Sequence, residues 1–164
     1  MSVFRELLAI KSFRENQAEG AVRQQRLALA QAQAASQAAQ ELLERLLREG
    51  VEIEQQLYRD LCARLVRLRE IESVQQDVAG LRQREAAQQQ QLEQAQAEQQ
   101  RQDDKLLQAR AAHQEASRQK SKFVDLAQNW EQLQQRESER REDLEMEEAA
   151  SVARDREDWQ GHEA

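Results

Sequence analysis

The sequence predicts an all-α fold, a long two-helix antiparallel coiled-coil hairpin with its apex near residues 59–72. The first observation behind this prediction is composition: the 164 residues include no proline, four glycines and 4% aromatic residues. Turn formers and strand formers are therefore both scarce, whereas abundant alanine, glutamine and charged residues favour long exposed helices. The second observation is the spacing of the apolar residues, and the third is how they pair when the chain folds back.

Apolar residues recur at steps of three and four along most of the chain. This 3.5-residue period is that of a narrow coiled-coil seam, and it differs from the broad apolar face of a globular helix. We expect helix 1 over about residues 3–58 and helix 2 over about residues 72–145, with Ser73 in a capping box at the start of helix 2. Each arm would extend roughly 85–90 Å at ~1.5 Å per residue.

A fold-back near residue 64 places large side chains opposite large ones and small opposite small ones. Leu57 then faces Ile71, and the alanine-rich residues 30–40 face the glutamine- and alanine-rich residues 88–100. Small side chains let two helix backbones approach closely, so this section predicts a tight seam. The residues expected to meet at the open end, opposite the turn, are Phe4, Leu7 and Leu8 with Phe123, Val124 and Leu126.

Charge divides the chain into a hairpin, residues 1–130, and an acidic C-terminal extension, residues 131–164. The hairpin carries 19 basic and 19 acidic residues, whereas the extension carries five arginines and 12 acidic residues and so accounts for the net charge of −7. Because the extension has few apolar anchors, we expect it to fray or to be disordered toward its end.

Several classes of protein are excluded or disfavoured by the same features. No apolar run approaches the ~20 residues of a membrane-spanning helix, and charges interrupt the N-terminal apolar stretch, unlike a secretory signal. A single cysteine, Cys62, cannot form an internal disulfide and fits a reducing compartment. The charge-balanced hairpin argues against a nucleic-acid-binding surface and against an amphipathic helix on a membrane surface, which needs a basic face.

The sequence also gives no support to an enzyme. A two-helix hairpin has no dry cleft in which polar groups can converge, and the two histidines, His113 and His162, are far apart in the sequence. Cys62 has no histidine or second cysteine nearby, and no glycine-rich phosphate loop occurs. We expect no catalytic residue, no metal site and no cofactor.

Five segments, in their order along the chain, are similar to those of one known family. Residues 11–14 followed by 17–19 resemble its K-x-L-R…R-A-E start, and residues 52–58 resemble its acidic pair before a leucine–aromatic step. Residues 71–86 resemble its L-E…Q…I-A-x-L-R-E-x-E-A segment, and residues 120–126 its K-x-x-K-F-x-E-L segment. An acidic tail then follows, as it does in the family.

On these segments the chain resembles the YscO family of type III secretion stalk proteins, which are relatives of the flagellar export protein FliJ. The resemblance covers roughly residues 1–130; Ser12, Phe13 and Glu15 depart from the more basic pattern that is usual there. It implies a non-enzymatic hairpin, similar to the central stalk of rotary ATPases, that links the hexameric secretion ATPase to the cytosolic domain of the export gate and interacts with secretion chaperones. It further implies a cytoplasmic protein at the base of the secretion apparatus that reaches the membrane only through its partners, and we expect a monomer.

Two binding sites are expected from this resemblance and from the placement of charged and apolar residues. The residues expected to bind the ATPase at the open end are Phe4, Leu7, Lys11, Arg14, Lys122 and Phe123. The apex carries more apolar residues than two helices alone can cover, which suggests a partner surface. The residues expected to bind the export gate there are Leu57, Tyr58, Ile71, Val74, Val78 and Leu81.

Alternatives remain open for both sites and for the function. Lys11 and Arg14 would also fit a structural role in which they extend along a helix edge. The apex would be covered if a turn helix folded over it. The alternative function is a homo-oligomeric structural coiled-coil scaffold that forms the same seam between chains.

Overall fold

The computed structural model of the chain describes residues 2–163, which form two long α-helices. Helix α1 spans Ser2–Cys62 and helix α2 spans Leu68–Glu163. The helices pack against each other, and no strand occurs within residues 2–163, which confirms the helical hairpin. None of the helices in this range combines the length and the apolar character that crossing a membrane requires.

The ends of the helices differ from the predicted ends. Helix α1 continues to Cys62 instead of residue 58, and α2 runs from Leu68 to Glu163 instead of from about 72 to about 145. The turn therefore lies within the predicted apex but is only residues 63–67. Helix α2 continues past 145 because the extension contains no proline and is rich in glutamate, arginine and alanine, which are good helix formers.

Backbone hydrogen bonds show how so short a turn forms without glycine. The Ala63 N–H still donates to the Arg59 carbonyl at 3.0 Å. At the last residue of the turn, the Arg67 carbonyl accepts from the N–H groups of Glu70 and Ile71, at 3.0 and 3.3 Å. Ser73 consequently lies inside α2 and does not cap it, so the predicted capping box is wrong.

The chain divides into two compact units, which we describe separately. Unit 2 comprises residues 17–113, and unit 1 comprises the residues before Gln17 and after His113. In unit 2 the buried residues of α1 follow the heptad spacing of a coiled coil and are mostly small. The buried side chains of unit 2 are Val22, Ala32, Ser36 and Leu43 from α1, and Leu92 and Leu106 from α2.

Glutamine side chains join the two helices of unit 2 where alanine leaves room for them. Gln25 Nε2 donates to the Gln102 backbone carbonyl at 3.2 Å and also to the Gln102 side-chain oxygen. Gln88 Nε2 donates to the Ala39 carbonyl at 3.0 Å. Part of the seam is thus polar and hydrogen-bonded, which satisfies groups that would be costly to bury unpaired.

A buried glycine admits a carboxylate into the same unit nearer the turn. Gly50 is buried, and a Cβ placed on it would lie 2.6 Å from Glu85 Oε1. Arg82 pairs with Glu85 at 3.0 Å and also with Glu54 on the other helix. Hydrogen bonding to Glu85 and then the charge of Glu54 raise the pKa of Arg82 above its ordinary value.

Unit 1 contains a section in which both helices pack and a section of α2 alone. The first comprises the residues of α1 up to 16 and of α2 from 114 to 130. From Glu131 to His162 every side chain of α2 is exposed. The charge pairs of this second section are local: Glu137 lies 3.7 Å from Arg140 and 4.0 Å from Arg141.

Candidate partner-binding surfaces

The aromatic residues expected to bind a partner at the open end are partly covered by packing within unit 1. Phe4 lies against Trp130, with ring centroids 5.7 Å apart and an angle of 39° between the planes. Lys11 Nζ lies 5.1 Å from the centroid of the Phe123 ring, within the range of a cation–π contact. Phe4, Phe123 and Lys11 are each half-buried. These residues therefore pack the two helices together, and only part of each side chain is free to contact a partner.

The register at the open end is shifted from the predicted one. Phe4 contacts Trp130, about one helical turn beyond the predicted Phe123–Leu126 partners, and Phe123 lies against Lys11. The tilted contact between the Phe4 and Trp130 rings favours this register, since an aromatic pair contributes about 0.5–1.5 kcal/mol beyond the area that it buries. The prediction paired Phe4, Leu7 and Leu8 with Phe123, Val124 and Leu126, and it gave Trp130 no partner.

A polar contact also joins the two helices within unit 1. Glu15 accepts from Lys120 Nζ at 3.1 Å and from Ser117 Oγ at 3.3 Å. Glu15 is one of the residues at which the sequence departs from the family pattern noted above. The Glu15 carboxylate therefore has a structural role, and it engages one basic residue of the open end, Lys120.

The exposed residues of the open end form a different set from the predicted one. Arg14 and Lys122, both predicted, are exposed, whereas Leu7 is half-buried. Three exposed apolar residues were missed, namely Val3, Ile10 and Phe13, which are 61%, 47% and 62% exposed. They recur at steps of seven and three, which places them on one side of α1, and that spacing was available in the sequence.

The apolar residues near the turn divide in the same way. Tyr58 and Ile71 are 45% and 37% exposed, whereas the other four predicted residues, Leu57, Val74, Val78 and Leu81, are half-buried. The turn contains no helix that could cover them, so the alternative of a turn helix folding over the apex is wrong. Leu65 and Leu68, which belong to the apolar apex seen in the sequence but not to the residues predicted to bind the gate, are also exposed.

Comparison with known proteins places these surfaces in a family. The family model described as type III secretion protein YscO matches residues 4–152. The chain belongs to the YscO family of type III secretion proteins. The match extends beyond residue 130, where the sequence resemblance ended, and so includes much of the acidic extension.

A solved structure gives the same assignment. The crystal structure of type III secretion protein YscO from Vibrio parahaemolyticus is similar, with a TM-score of 0.83 and 29% sequence identity. The similarity covers 90% of this chain and 92% of that chain. No curated protein sequence matches. The fold and the family predicted from the sequence are thereby confirmed.

Proposed function

We propose that this YscO-family chain is a non-enzymatic stalk or adaptor of a type III secretion apparatus, linking the secretion ATPase to the export gate. In this proposal the chain works at the cytoplasmic base of the apparatus and also binds export chaperones. The observation that carries the proposal is the presence of two separate surfaces that combine exposed apolar and basic side chains. One lies in unit 1 and the other at the turn in unit 2, and the family match spans both.

The ATPase-binding surface in this proposal combines exposed residues near the start of α1 with Lys122 of α2. It comprises Arg14 and Lys122, which the sequence predicted, and also Ile10 and Phe13. In this proposal the ATPase subunits contact these exposed residues and not Phe4 or Phe123, because those two side chains already pack within unit 1. Exposed aromatic residues beside arginine are the side chains that most often dominate a protein interface.

Binding to the purified hexameric secretion ATPase of the same system tests this surface. Phe13→Ala combined with Arg14→Glu should lower the affinity at least tenfold, because both side chains are exposed and their loss leaves the packing intact. The matched control is Leu27→Ala combined with Arg26→Glu, which makes the same kind of change at exposed positions elsewhere on α1. Equal binding by the first variant and the wild type would contradict this surface, and circular dichroism establishes that both variants remain helical.

The gate-binding surface in this proposal centres on Tyr58 and Ile71. Changing both to aspartate should weaken binding to the cytosolic domain of the export gate and leave ATPase binding unchanged. Loss of both activities, or of neither, would contradict the division of labour between the two surfaces. Since the two residues are only half covered, the variant should fold, and its thermal unfolding checks this.

The alternative of a homo-oligomeric scaffold is less well supported. In the described part of the chain, the apolar seam of each helix already has its partner in the other helix of the same chain. Equilibrium sedimentation at micromolar concentration distinguishes the two: the adaptor is a monomer, and a stable dimer would favour the scaffold.

A further inference from the structure

The turn carries a concentration of positive charge that the hairpin itself does not use. Residues 59–69, which we call the arginine tip, contain four arginines and one acidic residue, Asp60. No ion pair joins any of these arginines to a carboxylate within residues 2–163, and Asp60 accepts a hydrogen bond from Gln56 at 3.1 Å. All four are exposed; they are Arg59, Arg64, Arg67 and Arg69.

Aliphatic side chains project from the same few residues. Leu65 is 104% exposed and Leu68 is 71% exposed, the two highest values among the large apolar residues of unit 2. Each leucine has an arginine immediately before it in the sequence. Exposed leucines do not stabilise the folded chain. Leucines beside arginines therefore fit a partner that buries aliphatic side chains and carries negative charge.

We propose that the arginine tip binds a membrane surface that contains anionic lipids. The arginines contact lipid phosphates, and Leu65 and Leu68 enter the boundary between headgroups and acyl chains. The proposal goes beyond the stalk function, because it gives the chain a membrane contact of its own, whereas the sequence implied one only through partners.

The exposed leucines beside the arginines favour a membrane surface over an acidic protein, because a membrane can bury aliphatic side chains next to anionic groups. A membrane needs no complementary shape, and each basic side chain near an anionic surface contributes about 1 kcal/mol. A helix that lies flat on a membrane needs a basic face, whereas the arginine tip presents its basic and aliphatic side chains on a turn.

The tip keeps a net positive charge when the two acidic residues that follow it, Glu70 and Glu72, are included. Glu70 is half-buried and lies in the first turn of α2, where a carboxylate interacts favourably with the helix N-terminus.

Co-sedimentation of the full chain with vesicles tests the proposal. We expect binding to vesicles of phosphatidylcholine with about 30% phosphatidylglycerol at low salt, and at least tenfold weaker binding to phosphatidylcholine alone. Arg64→Glu with Arg67→Glu should lower the partition coefficient at least tenfold. The matched control, Arg23→Glu with Arg26→Glu, makes the same change in net charge at exposed positions of α1 and should bind like the wild type.

The leucines distinguish a membrane from an acidic protein. Leu65→Ser should lower vesicle binding about threefold to tenfold without a change in stability, since the side chain is fully exposed. The same substitution should leave binding to soluble polyglutamate unchanged. If the wild type binds polyglutamate as tightly as it binds vesicles, and Leu65→Ser affects neither, the tip is a site for acidic proteins and the proposal is overturned.

Two further outcomes would also overturn it. One is absence of wild-type binding to the anionic vesicles, and the other is equal loss of binding in the arginine variant and its matched control. Neither outcome bears on the stalk function, because ATPase binding and gate binding are measured separately with soluble partners. Conversely, loss of gate binding in the variant with aspartate at residues 58 and 71 would not bear on whether the arginine tip of the wild type binds vesicles.

Discussion

Helix α2 contains two stretches with the same backbone and different surroundings. From Val74 to Trp130, the positions reached by alternating steps of four and three are all buried or half-buried, whereas every side chain from Glu131 to His162 is exposed. Continuing the same steps beyond Trp130 reaches mostly polar residues. These are Gln134, Glu137, Arg141, Leu144, Glu148, Ser151 and Asp155.

The comparison teaches that helical structure has two different origins within one helix. In the first stretch, helix α1 covers one side and packing stabilises the backbone. In the second, only side-chain propensity and local charge pairs support it, and such pairs contribute about 0.2–0.5 kcal/mol each. Isolated helices in water are marginal without packing, so the two stretches should differ sharply in dynamics.

The largest expected difference is in amide hydrogen exchange. Amides near Leu92 and Leu106 should exchange only through global unfolding, whereas those of residues 131–162 should exchange at least a hundredfold faster through local opening. Mass spectrometry of peptic fragments of the full chain measures both stretches at once. Equal protection would show that the extension has a partner or an unexpected stability, and it would also refute the fraying that the sequence predicts, which stays a prediction here.

Leucine substitutions give the next largest contrast. Leu106 is 4% exposed and Leu133 is 62% exposed. Leu106→Ala should lower the free energy of unfolding by about 2–4 kcal/mol because it leaves a cavity in the seam, whereas Leu133→Ala should change it by less than about 0.5 kcal/mol. Urea denaturation followed by circular dichroism measures both, and a similar loss in the two variants would contradict the assignment of Leu133 to an unpacked stretch.

The contrast between the two stretches also explains how much could be predicted from the sequence. The hairpin was predictable because the 3.5-residue apolar period persists from Phe4 to Trp130 and breaks only once, around the turn. The helix boundaries at the turn were harder to predict from the sequence. Nothing in residues 63–67 is a turn former, and Arg67 starts α2 through its backbone carbonyl alone, which leaves no signal in the side chains.

The candidate sites were predicted less well than the fold, for a related reason. Residues such as Phe4 and Phe123 were chosen for their type, and type does not reveal whether a neighbour covers the side chain. Trp130 and Lys11 provide that cover. Phe13 was missed because the seam pattern identifies the buried side of a helix, although the exposed side follows from the same spacing.

Three glycines differ in the space that an added side chain would find. A Cβ on Gly80 or Gly161 would meet no atom within 4 Å, whereas one on Gly50 would meet Glu85. Gly80→Ala should therefore raise the free energy of unfolding by about 0.5–1 kcal/mol through helix propensity, and Gly161→Ala, in the unpacked stretch, should leave it unchanged.

Gly50→Ala tests whether the position of the Glu85 carboxylate requires that residue 50 has no side chain. The propensity gain should be reduced or lost because Glu85 must move, and in a Glu85→Ala background the gain should return to about 1 kcal/mol. Urea denaturation of the four chains in this cycle measures the coupling. An identical gain in both backgrounds would contradict a close contact between the two residues.

The smallest expected effect concerns pH. A hydrogen bond from Gln102, and then a hydrogen bond and the charge from Arg101, lower the pKa of Glu98. A carboxyl whose pKa is depressed in the folded state contributes stability above its unfolded pKa, and that contribution is lost as pH falls through the folded pKa. Acidification should therefore destabilise the wild type slightly more than Glu98→Gln, which no longer titrates at this position.

The matched control places the same substitution in the unpacked stretch. Glu147→Gln removes one carboxylate from residues 131–162, where no side chain is covered by a second helix. Its global unfolding transition should respond to acidification as the wild type does. If Glu147→Gln reduced the acid sensitivity as much as Glu98→Gln, the extension would have to be part of the cooperative unit, and the distinction between the packed and unpacked stretches of α2 would fail.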